Sequence, residues 1–315
     1  MLHFILILIA SSSCTISSIS AFSDKGVHPP NPKLHQQQQR RQFLSSIIIS
    51  TSPILALTTA HQPANAAIRD PKTGILLPSI GEIESSIPQT WDENDNPFTS
   101  SDDDKVAFSR LDSSDDKIFY AEPRFVEHVD GQAVESITSY VSERLLQSGD
   151  AVLDLCSSWT SHISSSKVGE LKRVAGLGMN AKELEANKSL SDWTVLDLNE
   201  DKNVKLPYEN ESFDVVMCQL SIDYLIHPLE VMKEVARVLK PSGRVAIIIS
   251  NRLFLTKAVG LWTGSDDIEH AYTVGSYLQY CGGGFSEIRA EDLSTRKKNG
   301  MIVGDPLYVI TATKS

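Results

Sequence analysis

The sequence is short of the residues that mark several common functions. Its four cysteines, Cys14, Cys156, Cys218 and Cys281, form no CxxC pair and show no metal-ligand spacing, which argues against zinc-ribbon and thioredoxin-type chemistry. Basic residues are outnumbered, 29 against 40 acidic, for a formal charge of −11. With a pI of about 5.2, the chain is poorly suited to grip duplex DNA by its phosphates or to adhere generally to anionic membranes. No GxGxxG follows any strand-like run, so a nicotinamide dehydrogenase is a poor reading. No uninterrupted apolar run reaches the about 20 residues that a membrane span requires, and no internal repeat is visible. What is present is 41% hydrophobic and 22% charged residues, with mean hydropathy −0.14. That is enough apolar material to bury a sizeable core in one or two globular units.

The first 66 residues read as targeting sequence. A short apolar run, Phe4 to Ala10, leads through Ser/Thr-rich sequence to Ala21-Phe22, with small Ala21 where a signal peptidase cuts. Residues 23–39 have no apolar periodicity and a single acidic residue, Asp24. Arg40-Arg41 then precede a weakly apolar run broken by Ser, Thr and Pro53, and Ala64-Asn65-Ala66 ends it. The Ala21-Phe22 junction resembles the bipartite plastid presequence of diatom-type algae, and the twin-arginine segment resembles a thylakoid-lumen signal. That resemblance implies residues 1–21 as signal peptide, 22–66 as transit segment plus lumen signal, and a plastid destination, the lumen first and the stroma as alternative. Without residues 1–66, which hold Lys25, Lys33, Arg40, Arg41 and Asp24, 25 basic and 39 acidic residues remain, a formal −14.

Residues 67–117 are rich in Pro, Ser, Asp and Asn, with acidic runs at Asp102-Asp103-Asp104 and Asp115-Asp116. They are expected to form an extended arm with few buried side chains, in which Trp91 and Phe98 dock on the domain. From residue 118 the punctuation becomes that of alternating helices and strands. Val134, Ile137, Val141 and Leu145 predict a helix by their spacing, and a buried strand follows at 151–155. Further strands are predicted at 173–177, 193–196, 213–218 and 244–250, with helices over 180–187 and 228–240. Two late strands, 285–290 and 307–313, have only a loop between them. The expected architecture is a Rossmann-like, doubly wound α/β domain over 118–315, with a mainly parallel seven-stranded sheet and a C-terminal antiparallel hairpin.

In such a sheet a ligand binds beyond the carboxyl ends of the strands, where strand order reverses, which directs attention to residues 156–162. Here Val152-Leu153-Asp154-Leu155, Asp197, the stretch from Leu206 to Val216 and the stretch from Glu234 to Gly243 resemble successive motifs of class I S-adenosylmethionine-dependent methyltransferases of the type 11 kind. The resemblance spans roughly residues 118–315. It implies S-adenosyl-L-methionine as cofactor, with Asp197 on the adenine amino group, Leu198 beside it and Asp154 supporting the loop. Two departures stand out. Glycines expected at 156, 158 and 160 are replaced by Cys156, Ser158 and Thr160, and Gly178 occupies the usual acidic ribose-binding position. The Ser-Ser-Trp-x-Ser-His loop and the Gly-Leu-Gly-Met-Asn segment together resemble a variant found in some bacterial and plastid methyltransferase-like proteins.

In that variant the hydroxyls of Ser157 and Ser158 would hold the methionine carboxylate, Asn180 would serve the ribose hydroxyls, and Trp159 would offer an aromatic face to the sulfonium. Methyl transfer is an in-line displacement that alignment alone can accelerate, and a base helps where the acceptor is a hydroxyl or an acidic carbon. The candidates are His162, Tyr224 and His128. Asn251 and Arg252, after the fifth strand, are the candidate acceptor-binding pair. The implied activity is methyl transfer to a small-molecule or lipid-like acceptor, with thylakoid membrane proximity and no nucleic acid. A non-catalytic binding or assembly factor with the same fold is the alternative, favoured by the missing glycines.

Overall fold

Every residue of the run Ala151–Leu155 is buried, and it forms strand β1 in the interior of a seven-stranded sheet. In this computed structural model residues 68–98 and 106–315 are described. The targeting expectations for residues 1–66 and the run Asp102–Asp104 lie outside them. The described residues fall within one compact unit, Asn65–Ser315.

β1 is flanked by β2 (Arg173–Gly178) and by β4 (Phe213–Gln219), with β3 (Asp192–Val195) beyond β2 and β5 (Leu239–Ile249) beyond β4. These five strands are parallel. β7 (Tyr308–Lys314) pairs antiparallel with β5, and β6 (Phe285–Asp292) pairs antiparallel with β7, giving the order β3-β2-β1-β4-β5-β7-β6. Strand order therefore reverses between β1 and β4, which places the crevice where the sequence reading put it.

The two faces follow from the period of two along each strand. Leu153, Leu155, Val216, Cys218, Val245 and Ile247 join one cluster with Val231 and Val235 of helix α5 (Pro228–Val238) and Val274 of α6 (Asp267–Tyr280). Val152, Val215, Met217, Ala246 and Ile248 join the other with Ile137 of α2 (Gly131–Ser139) and Val141 and Leu145 of the π-turn that continues it. Three further short helices are α1 (Asp116–Phe119), α3 (Ser165–Val168) and α4 (Ala181–Ala186).

Two boundaries differ from expectation. The helix predicted to Lys240 ends at Val238, and the strand begins at Leu239, pairing with Phe213 before a register shift. Pro241-Ser242-Gly243 is thus a kink inside the strand, with Ser242 at φ 62°. Helix α6 goes unmarked in the sequence because Thr273 to Leu278 are all buried, which erases the amphipathic period.

The arm is more deeply anchored than its polar composition suggests. Ile83 is fully buried and Ile87 nearly so. Ile87 and Trp91 lie so close to Gly275 of α6 that a Cβ there would collide with Ile87. Trp91 also stacks on Tyr272, and Phe98 packs against Tyr277 with centroids 5.4 Å apart. Polar anchors complete the attachment. Arg110 grips Asp116 through both carboxylate oxygens, and the fully buried Lys257 lies 3.2 Å from the same group.

Candidate active site

The loop that leaves β1 turns sharply at Cys156, whose φ is 59°, and then folds back onto β2. The Ser157 amide donates to the Leu177 carbonyl at 2.7 Å. Asp154, buried at the strand end, accepts from the hydroxyls of Ser157 and Ser161 at 2.6 and 2.7 Å. Burial raises the Asp154 carboxyl to about 6, against the opposing pull of those two hydroxyls. Asn187 donates to the Ser158 carbonyl and to the Ser161 hydroxyl, and Ser158 Oγ donates to Glu183 at 2.7 Å. Hydroxyls thus do by side-chain bonding what glycines usually do by conformational freedom.

The chain segment 119–128 closes over this loop. Glu183 accepts from the Arg124 amide at 2.6 Å, and the Trp159 indole donates to the Val126 carbonyl at 3.2 Å. His162 lies between Gln219 Oε1 at 2.8 Å and Glu127 Oε2 at 3.0 Å. Burial opposes the imidazolium, but the bonds to Glu127 and Gln219 outweigh it and raise the His162 pKa.

Several predicted residues are committed inside the protein. Asn180 caps α4 by accepting from Lys182 and Glu183 amides, and its Nδ2 donates to the carbonyls of Tyr120 and Ala121. Both its acceptor and both its donor capacities are used, so in this arrangement it holds the segment rather than a ribose. Asn251 donates to Asp70, while Arg252 reaches Asp70 Oδ2 at 2.7 Å and Asp305 Oδ1 at 2.8 Å. The expected acceptor-binding pair is thereby a clamp on the arm. Its partner Asp70 lies about half the chain away in sequence and gave no local signal. His128 stands edge-on to Phe254, centroids 5.3 Å apart, and Tyr224 Oη accepts from the Phe254 amide at 2.9 Å.

Asp197 keeps its availability. It is half-buried at the end of β3, next to buried Leu198, and one carboxylate oxygen accepts from the Asn199 amide at 2.8 Å. The other oxygen has no protein donor among the described residues, as a contact to an exocyclic amine requires. Desolvation, with the charges of Asp116, Asp115 and Glu200, raises its pKa. On that observation the residues fit S-adenosylmethionine at its adenine end. Glu183, Gln219, Asn187 and Asp223 carry no local signal in the sequence, because their partners are brought to them only by the fold.

Residues 156–247 match the family model described as a methyltransferase domain. The chain is 33% identical over 112 residues to the chloroplastic 2-phytyl-1,4-beta-naphthoquinone methyltransferase of Arabidopsis thaliana, covering 33% of this chain and 43% of that one. It is 36% identical over 106 residues to a demethylmenaquinone methyltransferase of Lactococcus lactis, covering 32% and 42%. The match spans less than half the length of either relative. A solved putative S-adenosylmethionine-dependent methyltransferase from Listeria monocytogenes aligns with TM-score 0.42 and 14% identity, over 59% of this chain and 100% of that one. The stretch from Cys156 to Ile247 thus carries the likeness to a methyltransferase domain, and it is set on a Rossmann-like sheet.

Proposed function

We propose that the whole protein transfers a methyl group from S-adenosylmethionine to a small lipid-like acceptor carrying a quinone-type ring, and that it does so in the plastid. The cofactor supplies a methyl group on a positively charged sulfur. The protein binds it through Asp197 and Leu198 at the adenine end, and Asp154 fixes the loop that passes the methionine end. His162, Tyr224 and His128 remain the candidates for handling an acceptor proton.

The observation that carries the acceptor class is an apolar rim. Arg124 lies over the Phe119 ring at 4.3 Å and the Phe254 ring at 5.5 Å. This cluster is tied to both walls of the crevice, through the Arg124 amide to Glu183 and the Phe254 amide to Tyr224. Ile118, Phe125 and Leu255, each next in sequence to a member of the cluster, are 72%, 52% and 58% exposed, and Val126 is 55% exposed. An exposed apolar collar on an otherwise acidic protein suits a hydrocarbon tail. The relatives that methylate naphthoquinones support the same class, and the chloroplastic relative supports the plastid.

Calorimetric titration with S-adenosylmethionine and S-adenosylhomocysteine, beside Asp197→Ala, tests the cofactor. Micromolar binding that is lost in the variant is expected. No binding by a demonstrably folded protein would favour a second reading, a thylakoid binding or assembly factor, which the self-satisfied bonding of Ser157, Ser158 and Asn180 supports. For location, residues 1–70 fused to a fluorescent reporter should reach the plastid. Arg40→Lys with Arg41→Lys should hold it before the lumen, whereas secretion from the cell would overturn the assignment.

A further inference from the structure

Directly after β4, at the strand-order reversal, one 3-10 turn spans Ile222–Tyr224. Its middle residue, Asp223, is 5% exposed, and its Oδ2 has no hydrogen-bond partner among the described residues. The backbone is held, since the Asp223 carbonyl accepts from the Val259 amide at 2.9 Å. The side chain's remaining interactions are with its own amide and the Tyr224 hydroxyl. A buried carboxyl oxygen left without a donor or acceptor is costly, and such exceptions gather where a ligand completes the bonding.

We infer that Asp223 is the acceptor-recognition group of the methyltransferase site, donating a hydrogen bond from its uncharged carboxylic acid to a carbonyl or hydroxyl oxygen on the ring to be methylated. This rests on the proposed methyltransferase reading and names the polar end of its acceptor. The titratable groups around Asp223 support it. Tyr120 of the covering segment, Cys218 of β4 and Tyr224 of the same turn all feel its charge, and Cys218 also contacts Cys156 and feels Asp154. None is a cation, and among the described residues no Lys or Arg acts on Asp223. Burial therefore raises its carboxyl to about 8, so at neutral pH it carries a proton it can donate. A phosphate-bearing acceptor would gain no counter-charge here. An ammonium acceptor would instead supply one and draw Asp223 into its ionised form.

The test measures binding of a 1,4-naphthoquinone with a short prenyl tail, which does not titrate, and of a naphthylmethylammonium of similar size. It uses the full-length protein and its Asp223→Asn and Asp223→Leu variants, with S-adenosylhomocysteine titrated separately. For the unaltered protein, naphthoquinone affinity should fall about tenfold from pH 7 to pH 9, the change expected of a donor that titrates near 8. Asp223→Asn keeps a neutral donor and should bind with no such pH dependence. Asp223→Leu should lose at least tenfold, and S-adenosylhomocysteine affinity should be unchanged in both variants. Equal naphthoquinone binding by Asp223→Leu, a pH profile that survives in Asp223→Asn, no naphthoquinone binding by the folded unaltered protein, or preference for the ammonium at pH 7 would each overturn the inference. Naphthoquinone binding that depends on Asp223 without any S-adenosylhomocysteine binding would keep Asp223 as the recognition group and remove the methyltransferase reading.

Discussion

Gly178 leaves its side-chain space to the backbone carbonyl of Ser157. A Cβ at position 178 would overlap that oxygen, and the Ser157 amide is already bonded to Leu177 next door. The serine-rich loop after β1 and the glycine at position 178 are therefore one structural feature. A loop built from serines leans onto the end of β2, and an acidic side chain at the end of β2 cannot coexist with it.

Gly178→Asp, which puts an acidic side chain into that space, should weaken the protein. Overpacking against backbone costs about 1–3 kcal/mol, and the displaced loop should bind S-adenosylhomocysteine less well. Gly178→Ala should show most of the same loss, because the clash begins at Cβ. Urea unfolding of both variants measures the cost. An aspartate variant of unchanged stability that binds the cofactor more tightly would contradict the coupling.

Asp154 makes the loop's order sensitive to pH. Asp154→Ala strands the hydroxyls of Ser157 and Ser161 and should cost about 1–3 kcal/mol for each that finds no new partner. The folded carboxyl sits at about 6, against 3.8 for an ordinary aspartate. Because the folded value is the higher one, its contribution is complete below 3.8 and declines as pH rises through 6. The unfolding free energy of the unaltered protein minus that of Asp154→Asn should therefore fall by up to about 3 kcal/mol between pH 4 and pH 7. A difference that is flat across that range would show that Asp154 does not titrate this way.

Much of the fold was legible because its strands are short apolar runs that end in turns, as at Val152-Leu153 or Val215-Val216. The crossover helix α5 shows its face openly in Val231, Met232, Val235 and Ala236. Helix α6 was not legible, since burial on nearly all sides leaves no stripe. At the site, Asp154 and Asp197 were readable as strand-end carboxylates. Asn180, Asn251 and Arg252 were not, because what decides their roles is long-range: the carbonyl of Tyr120 for the first, and Asp70 for the other two. The arm misled for the same reason. Its anchors, Ile83 and Ile87, are few among many polar residues, and their burial depends on surfaces formed far along the chain.

Arg252 offers a direct distinction between clamp and substrate binder. Its side chain is 15% exposed, with Asp70 and Asp305 at 3% and 4%. Arg252→Ala leaves the buried Asp70 carboxylate without its cation, while Asp305 keeps Lys72 at 2.6 Å, a loss of about 3–5 kcal/mol. It should expose residues 68–98 to limited proteolysis before the sheet unfolds. Asp70→Asn should reproduce the proteolytic pattern in milder form. Unchanged protease resistance together with loss of acceptor binding alone would return Arg252 to the acceptor.

His162 and Glu127 make the closure of segment 119–128 a function of pH. Burial disfavours the imidazolium, yet the bonds to Glu127 and Gln219 raise the His162 pKa above 6.5, and the bond to His162 lowers that of Glu127. With the folded His162 value above its unfolded one and the folded Glu127 value below its own, the pairing is fully present between about pH 4.5 and 6.5. It is lost as pH rises through the elevated folded value. Hydrogen exchange at residues 121–128 should accordingly quicken on the alkaline side while exchange in β1 and β4 is unaffected. Glu127→Gln should bring the His162 titration, followed by NMR, to a lower pH and make exchange in the segment fast already at neutral pH. A His162 titration unmoved by Glu127→Gln would mean that Gln219 alone holds the ring, and the closure would then have no pH switch at this contact.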